Sequence, residues 1–371
     1  MRILLIGEYS NVHWALAEGL RALGHEVDVV SDGDSWKNYS RDIDLRRRSL
    51  GTFDTLRYLW DVQRLMPRLA GYDVVQLINP IFLDLRGERI WPYYERLRRQ
   101  NGHMVMGAFG IDRYWVSEGL KPDTFRYSDF YLDGKLRQNA DNDVMVRDWL
   151  NGPKGELNRQ IADDCDHIVT GLYEYHRCYQ TAEDGRYRDK STYIPFPINL
   201  SSTEPIEGHP DYDGLRFFIG IQKSRSAYKG TDVMLEALNQ LKAHHPEAME
   251  IVRAESVPFP VYKDMMNRSD VLLDQLYSYT PGMNGLLAMS KGLVLVGGGE
   301  EEHYDLLGEH ELRPIVNVEP HLESVIDTIE RRLLLRPEDV AVLSRQSIEY
   351  VRRHHDHIAV ARRYVELYES L

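Results

Sequence analysis

The chain has 371 residues, of which 43% are hydrophobic and 28% charged, and its formal net charge at pH 7 is −13. This length exceeds one ordinary hydrophobic core and predicts two domains. The acidic balance argues against general nucleic-acid binding, because no excess of Lys and Arg is present to neutralise phosphates. Two arginine-rich stretches, residues 44–50 and 95–100, are interpreted as solvated helix faces, and a local basic patch stays open as the alternative.

Cysteine content and hydropathy indicate the compartment. Cys165 and Cys178 are the only two cysteines, and their spacing matches neither a metal site nor a Cys-x-x-Cys motif. We expect both to be reduced thiols in a cytoplasmic protein. The N-terminal apolar run is too short for a signal sequence, and no apolar stretch approaches the length of a membrane span. A soluble protein is expected, and a peripheral membrane association stays open.

The first half of the chain alternates strand and helix patterns. An apolar run at residues 2–6 ends at Gly7, a helical pattern follows as far as Gly24, and a strand pattern occupies residues 26–31. Parallel strands joined by crossover helices predict a doubly wound sheet. Three further strands are predicted in this half, at 72–78, 103–110 and 166–171, and residues 191–200 are expected to lead out of the domain.

Residues 113–155 interrupt this alternation. The stretch is rich in Tyr and Asp and has little periodic pattern. Long irregular insertions in α/β domains usually lie at the ligand edge and carry specificity. A specificity segment and a surface excursion both stay open as interpretations.

A polar, turn-rich stretch at residues 201–214 predicts the linker between two domains. The alternating pattern then restarts, with strands predicted at 215–221, 248–256, 270–276, 293–296 and 313–319. The predicted organisation has an N-terminal domain over 1–200, a C-terminal domain over 215–350, and a C-terminal helix over 351–371 that returns toward the N-terminal domain.

Four passages in this order resemble the family-4 (group 1) glycosyltransferases: "RILLIGEYSNVHWALAEGLRALGHEV", "DHIVTG…YIPFPINL", "FFIGIQKSRSAYKGTDVMLEAL" and "SDVLLDQLYSYTPGMNGLLAMSKGLVLVGGGEEEHYDLL". The resemblance implies the GT-B fold, in which two Rossmann-like doubly wound parallel-sheet domains face each other across a cleft, with a helical C-terminal tail. It implies transfer of a sugar from a nucleotide-sugar donor to a saccharide or lipid-linked acceptor, with retention of configuration. Neither a metal nor a cofactor is expected, because the nucleotide sugar is a substrate.

Three cations in the third passage, Lys223, Arg225 and Lys229, lie between a predicted strand and a predicted helix. Open α/β sheets bind ligands at the carboxyl ends of their strands, and a helix N-terminus adds partial positive charge there. The resemblance implies that Arg225 and Lys229 hold the diphosphate of the donor and stabilise it as it leaves. Lys223 is expected to bind the donor beside them.

The fourth passage departs from the family. Tyr279 and Leu287 occupy the positions of the two family glutamates, so the identity of the donor stays open. Asn284 is either a sugar ligand or an N-cap-like residue. Glu301 or Glu302 is the candidate for a further family glutamate near the donor. The donor-binding residues implied here are Thr280, Gly282, Met283, Asn284, Gly285 and Glu302.

In the first domain, Gly7 is expected to face the donor, and Glu8 replaces the usual second glycine of the turn. His13 and Asp112 also follow predicted strands. Each is a candidate to orient an acceptor hydroxyl or to act as a general base, and the alternative is a structural histidine or a helix cap.

Two other functions stay open. The missing glutamates are compatible with a catalytically silent GT-B protein that serves as a binding or regulatory partner, and a sugar-nucleotide epimerase is a weaker alternative. A dinucleotide oxidoreductase is disfavoured, because "GEYSNVH" lacks the G-x-G-x-x-G turn.

Overall fold

The computed structural model describes residues 1–206, 213–222 and 226–371, which form two compact units. The first unit comprises Met1–Thr124, Asp143–Asn199 and His357–Leu371, and the second comprises Phe125–Asn142 and Leu200–Asp356. The sequence prediction assigned all of residues 1–200 to one domain. The structure corrects this at Phe125–Asn142, hereafter the inserted segment, because its side chains pack within the second unit.

The strands, in chain order, are β1 (Arg2–Ile6), β2 (Glu26–Ser31), β3 (Ile43–Asp44), β4 (Val74–Leu77), β5 (His103–Ala108), β6 (Tyr131–Leu132), β7 (Lys135–Leu136), β8 (His167–Thr170), β9 (Ser191–Tyr193), β10 (Leu215–Ile221), β11 (Met249–Glu255), β12 (Val271–Leu273), β13 (Val294–Gly297) and β14 (Val316–Asn317).

The α-helices are α1 (Val12–Ala22), α2 (Thr52–Leu65), α3 (Trp91–Gln100), α4 (Arg113–Gly119), α5 (Ala140–Met145), α6 (Pro153–Asp164), α7 (Tyr173–Gly185), α8 (Ser226–Lys229), α9 (Thr231–His244), α10 (Phe259–Asn267), α11 (Met283–Ser290), α12 (Glu301–Leu307), α13 (Leu322–Ile329), α14 (Pro337–His355) and α15 (His357–Ser370). Single π-helical turns occur at Val146–Leu150 and Glu330–Leu334.

The described residues of the first unit form a seven-stranded parallel sheet in the order β3-β2-β1-β4-β5-β8-β9. The central strand β1 is buried on both faces, since Ile3, Leu4 and Leu5 have no exposed surface. This burial explains its continuous apolar run and confirms the predicted doubly wound sheet. Strand β9, which was not predicted, ends at Tyr193, because Pro195 and Pro197 lack the N–H groups that would extend the ladder.

The C-terminal helix α15 packs against α1 within the first unit. A Cβ atom at Gly19 would lie only 2.2 Å from the carbonyl oxygen of His357, so this glycine permits the close approach of the two helices. The Tyr368 hydroxyl on α15 also donates a hydrogen bond of 2.7 Å to Oε1 of Gln76 on β4. The last helix of the chain therefore stabilises the sheet that begins the chain.

The described residues of the second unit form a five-stranded parallel sheet in the order β11-β10-β12-β13-β14. Its core consists of alternate residues of these strands packed against α9 and α13, with Phe217, Val271, Val294 and Leu238 buried. The five predicted strands of this half are confirmed, although β12 and β14 are shorter than predicted.

The inserted segment contains an antiparallel hairpin of β6 and β7. Its two-residue turn is Asp133-Gly134, with φ angles of +51° and +75°. Asp-Gly is favoured in such turns because both central residues adopt positive φ. This hairpin was not predicted, although the Asp-Gly pair is the local signal for it.

The two arginine-rich stretches differ in structure. Residues 95–100 lie on α3, as predicted. The helical interpretation of residues 44–50 is wrong, because Asp44 is paired with Ser31 at the edge of the sheet and helix α2 begins only at Thr52, after Gly51. None of the helices within the described residues is long and apolar enough to cross a membrane.

Candidate functional site

The loop between β10 and α9 carries the cations predicted to hold a diphosphate. Lys223 and Arg225 lie outside the described residues, and Lys229 ends the short helix α8. The next residue, Gly230, has a φ of +72°, and a Cβ atom there would lie 2.6 Å from Cβ of Leu276. The Leu276 N–H donates a 3.0 Å hydrogen bond to the carbonyl oxygen of Lys229. Only glycine fits this position without strain, so the Lys-Gly pair is fixed against the loop that follows β12.

Asp274, directly after β12, is the acid nearest to this loop that sequence analysis missed. Its Oδ2 atom is buried without a hydrogen-bond partner among the described residues, although the residue as a whole is partly exposed. Burial raises the pKa of its carboxyl group, while the charge of Lys229 and hydrogen bonding from Gly285 and Asn284 lower it. A carboxylate and a lysine therefore lie close together at the carboxyl end of the sheet.

Helix α11 begins beside this carboxylate. Its N-cap is Gly282, so Asn284 lies in the first turn and is not the N-cap that sequence analysis left open as its alternative role. The Tyr262 hydroxyl donates a 3.1 Å hydrogen bond to Oδ1 of Asn284. A Cβ atom at Gly282 would lie 2.7 Å from Nε2 of Gln275, and one at Gly285 would lie 3.0 Å from Cδ2 of Leu295. Both glycines serve the close packing of the helix start.

Two other predicted donor residues, Thr280 and Met283, are buried, with 1% and 9% of their surface exposed. The backbone around Thr280 is held by Ser278, whose hydroxyl group donates a 2.5 Å hydrogen bond to the Thr280 carbonyl oxygen. Thr280 and Met283 thus lie on the buried side of the loop that leads into α11.

The triple glycine after β13 is a packing feature. A Cβ atom at Gly297 would lie 2.3 Å from the carbonyl oxygen of Asp274, and one at Gly298 would lie 2.0 Å from that of Ser278. Gly299 faces Ile315 at a comparable distance, 2.6 Å from Cγ2. The absence of side chains at these positions allows the Asp274 loop to lie directly against the end of β13.

Tyr279, at the position of the first family glutamate, is the anchor of the inserted segment. Only 2% of its surface is exposed, and its ring stacks on that of Tyr127 with a centroid distance of 4.7 Å. Its hydroxyl oxygen accepts hydrogen bonds from the backbone N–H groups of Arg126 at 2.9 Å and Tyr127 at 3.3 Å. A glutamate here could not make these ring contacts, so Tyr279 has a structural role at this position.

Glu300 is the second anchor. Its carboxylate accepts hydrogen bonds of 2.6 Å from Nη2 of Arg126 and 2.6 Å from the Tyr127 hydroxyl. Burial alone raises the pKa of Glu300, but these hydrogen bonds, one from Asn317 and the charge of Arg126 outweigh burial and hold the pKa below its ordinary value. Glu300 is therefore ionised in the folded protein at neutral pH.

The two glutamates proposed from sequence lie next to this anchor. Glu302 pairs with Nη2 of Arg126 at 3.0 Å, whereas Glu301 pairs with Arg313 at 2.6 Å. Arg126 therefore bridges Glu300 and Glu302. The donor-binding role of Glu302 stays a prediction, and its present partner belongs to the inserted segment.

Arg137 gives the candidate site a cation that sequence analysis missed. Its Nη2 donates a 2.7 Å hydrogen bond to the carbonyl oxygen of Ala227, in the same short helix as Lys229. Its guanidinium carbon lies 3.3 Å from the ring centroid of Tyr277. No local signal marks this role, because Ala227 and Tyr277 are far away from Arg137 in sequence.

In the first unit, the end of β1 is occupied by a protein carboxylate. Gly7 has a φ of +89°, and a Cβ atom there would lie 2.2 Å from Cγ2 of Ile78. The Glu8 carboxylate accepts hydrogen bonds from the N–H groups of His13 at 3.3 Å and Trp14 at 2.9 Å. Glu8 thus caps α1 at the place where a helix N-terminus would otherwise attract an anion. Its burial raises the pKa to about 8.

His13 and Asp112 both have structural partners. His13 is fully buried, with Nδ1 lying 2.8 Å from the Gly7 carbonyl oxygen and burial lowering its pKa to about 3. Asp112 caps α4 through a 2.7 Å bond from the Trp115 N–H, and it accepts a 2.8 Å bond from the Tyr179 hydroxyl. Burial raises the pKa of Asp112 to about 6. These contacts fit the structural alternatives, and the catalytic roles stay predictions.

The described residues include no group of three or more His, Cys, Asp or Glu arranged to hold a metal ion. Cys165 and Cys178 are both buried and unbridged.

Solved structures share this fold over the whole chain. HepE from Anabaena, in complex with UDP and glucose, is 12% identical with a TM-score of 0.62, and the match covers 100% of both chains. The catalytic domain of starch synthase IV from Arabidopsis thaliana, bound to ADP and acarbose, is 11% identical with a TM-score of 0.63, covering 100% of this chain and 99% of that one. A candidate UDP-N-acetylglucosamine 2-epimerase from Listeria monocytogenes is 10% identical with a TM-score of 0.56, covering 98% and 94%.

At these identities the likeness establishes the fold, which is the GT-B fold predicted from sequence. No protein-family model and no curated protein sequence matches the chain.

The raised pKa of Glu8 predicts a pH dependence of stability. The native state keeps this proton between pH 4.5 and about 8, where the unfolded chain has lost it. The stabilisation is therefore complete below pH 4.5 and is lost as pH rises through about 8. In Glu8→Gln, the free energy of unfolding should decline less steeply with pH, by up to about 1.4 kcal/mol per pH unit. Denaturant unfolding at a series of pH values measures this slope, and equal slopes for the two proteins would refute the assignment.

The anchoring role of Tyr279 predicts the effect of two substitutions. Tyr279→Phe keeps the ring but removes the acceptor of two N–H groups, which should cost about 1–3 kcal/mol. Tyr279→Glu, which restores the family residue, buries a carboxylate beside Glu300 and should cost more, with faster proteolysis of the inserted segment. Unfolding curves and limited proteolysis test both, with Tyr131→Phe as the control. A fully stable, protease-resistant Tyr279→Glu protein would contradict this role.

Proposed function

We propose that the protein is a glycosyltransferase that moves a sugar from a nucleotide-sugar donor to a saccharide or lipid-linked acceptor. The observation that carries the proposal is the pair formed by Lys229 and Asp274 at the carboxyl end of the second sheet. A cation, a carboxylate oxygen without a hydrogen-bond partner among the described residues and the start of α11 meet there. Ligands of open parallel sheets bind at such edges. The solved GT-B structures that contain UDP or ADP support a nucleotide as the ligand.

The proposed role of the cations is charge stabilisation. Lys229, together with the N-terminus of α9, attracts the diphosphate and stabilises the negative charge that develops as the sugar leaves. Arg225 and Lys223 belong to the same loop by resemblance. Reaction without a metal and with retention of configuration is the mechanism that the resemblance implies, and both are part of the proposal.

Asp274 has the proposed role of binding a hydroxyl group of the donor. Tyr279 is buried beneath the inserted segment, and Leu287 is apolar, so neither provides the carboxylate that the family uses. The unpartnered Oδ2 of Asp274 accepts a hydrogen bond from a ribose or sugar hydroxyl in this proposal. Such a hydrogen bond offsets the free-energy cost of desolvating the buried oxygen, because hydrogen bonds to charged groups are stronger than those between neutral groups.

We assign the acceptor to the first unit by resemblance, without a catalytic base. His13 and Asp112 are fully buried and have internal partners, so we propose structural roles for both. A side chain at Gly7 would meet Ile78, and we propose the loops after β4 and β5 as the contact surface of the acceptor.

A second candidate is a catalytically silent GT-B protein that binds nucleotide without transfer. The burial of Tyr279 beneath the inserted segment favours it, because the usual sugar-binding acid is replaced by a structural contact. The epimerase alternative rests on fold alone. Transfer or hydrolysis of a nucleotide sugar, detected by release of the nucleoside diphosphate, would exclude the silent candidate, whereas conversion of the sugar without that release would favour the epimerase.

The donor site predicts stabilisation by a nucleoside diphosphate. At least one of UDP, GDP, ADP, CDP and dTDP should raise the melting temperature, corresponding to about 2.7 kcal/mol when ligand exceeds its dissociation constant 100-fold. Lys229→Gln should abolish the rise, because the charge beside the diphosphate is lost. The exposed Lys263→Gln on α10 is the matched control. The absence of a shift with all five nucleotides would overturn the donor site.

Asp274→Asn should separate stability from binding. Burial raises the pKa of Asp274, so the folded protein favours its protonated form. The free energy of unfolding therefore declines as pH rises above the ordinary carboxyl range and Asp274 ionises. The neutral amide removes this cost and should weaken binding of the stabilising nucleotide sugar by roughly ten-fold or more. Calorimetric titration and unfolding curves measure both effects, with Asp264→Asn, whose side chain is 60% exposed, as the control. Unchanged affinity in Asp274→Asn would contradict the role of this carboxylate.

A further inference from the structure

Helix α2 of the first unit has apolar residues on two opposite faces. Tyr58, Val62 and Leu65 are buried against the unit. On the other side, Phe53 is 79% exposed, Leu56 62% and Trp60 56%. Their i, i+3, i+7 spacing places these three side chains on one stripe, hereafter the α2 stripe. Leu50, just before the helix, extends it with 83% exposure.

This concentration is unusual for a protein surface. Among the described residues, the other strongly exposed large apolar side chains are spread over distant parts of the chain, as with Leu136, Val261 and Leu335. Single exposed apolar residues are normal, whereas a contiguous patch marks an interaction site. The core explains only the buried face of α2, so the exposed face needs another partner.

The charge around the α2 stripe indicates the chemistry of that partner. Residues 45–68 contain six arginines and two aspartates, a net charge of +4 in a chain whose net charge is −13. Arg57 and Arg64 lie on the stripe itself by helical spacing, and the guanidinium carbon of Arg64 lies 4.5 Å from the ring centroid of Trp60. A basic helix that exposes Trp, Phe and Leu is typical of a membrane-surface helix.

The cavity beside the helix does not account for this charge. Its volume is about 400 Å³, and its lining includes four arginines but also three aspartates, Asp44, Asp54 and Asp61. The acids neutralise most of the basic charge within the cavity. Arg57, which borders both the cavity and the stripe, and Arg64, which lies outside the cavity, therefore carry the attraction for an anion.

The α2 stripe is linked to the ligand edge of the first sheet. The Asp84 N–H, in the loop after β4, donates a 3.0 Å hydrogen bond to the Tyr58 hydroxyl on the buried face of α2. Arg47 also approaches Asp84, with 3.9 Å between Nη1 and Oδ2. A surface that binds the stripe thus lies next to a loop at the carboxyl ends of the strands.

We propose that the α2 stripe docks the first unit onto an anionic lipid bilayer. Phe53, Leu56 and Trp60 enter the headgroup region, and Arg57 and Arg64 contact lipid phosphates. A second copy of the chain fits less well, because a two-fold contact through the stripe would bring its arginines together. The proposal does not depend on glycosyl transfer, and its test is independent of the test of the donor site.

Vesicle sedimentation tests the proposal with the full chain. The protein should bind vesicles of phosphatidylcholine mixed with phosphatidylglycerol and bind pure phosphatidylcholine much less, with binding weakened by salt. Arg57→Gln and Arg64→Gln should each lower partitioning about five-fold. The triple change of Phe53, Leu56 and Trp60 to Ser should abolish it. The emission of Trp60 should shift to shorter wavelength on binding, and this shift should vanish in Trp60→Phe.

Leu335→Ser, at a residue 62% exposed in the second unit, is the matched control and should leave binding unchanged. Because the altered side chains of the stripe are exposed, the variants should keep the wild-type melting temperature. No binding to anionic vesicles at low ionic strength would overturn the proposal. It would equally be overturned if the wild-type chain dimerised in solution and the triple variant did not, because the stripe would then bind a second copy.

Discussion

The buried carboxylate of Glu300 is the constraint on which the second unit depends. A buried charge must be paired and hydrogen-bonded, and here Arg126 and Tyr127 of the inserted segment provide both. The segment is thereby fixed on a sheet that lies far along the chain, with Tyr279 stacked beneath it. Tyr279, where the sequence resemblance led us to expect a glutamate, is an aromatic anchor of this segment. This departure from the resemblance thus has a structural role.

The charged groups of the proposed donor site are Lys229 and Asp274. Lys229 is fixed by Gly230 and Leu276, and Asp274 lies beside the start of α11 with one oxygen unpartnered. Burying an acid in this way costs stability, which is tolerable where a ligand completes its hydrogen bonds. The first unit shows the opposite solution, because Glu8 itself occupies the helix N-terminus after β1. The N–H groups at the start of α1 are thus bonded to a protein side chain, whereas we propose that the corresponding edge of the second unit receives a ligand.

Much of this fold is predictable from sequence because its signals are local. The apolar runs at β1 and β10 and the glycines after strands reflect burial on both faces of parallel sheets. Arg126 bonds to Glu300 and Arg137 to Ala227, each more than 80 residues away, so no local pattern reveals these contacts. Glu8 was visible as a departure, but its capping role requires the helix geometry. Residues 44–50 were misread, because a run of arginines fits a helix and an edge loop equally well.

The most direct test of the account is a crystal structure of the protein with its stabilising nucleoside diphosphate bound. The account predicts phosphate oxygens beside Lys229, at the loop that ends in Gly230. With the nucleotide sugar bound in place of the diphosphate, it also predicts a ribose or sugar hydroxyl within hydrogen-bond distance of Oδ2 of Asp274, with the inserted segment still anchored on Tyr279. A diphosphate bound away from Lys229, with Oδ2 of Asp274 left without a partner, would contradict it.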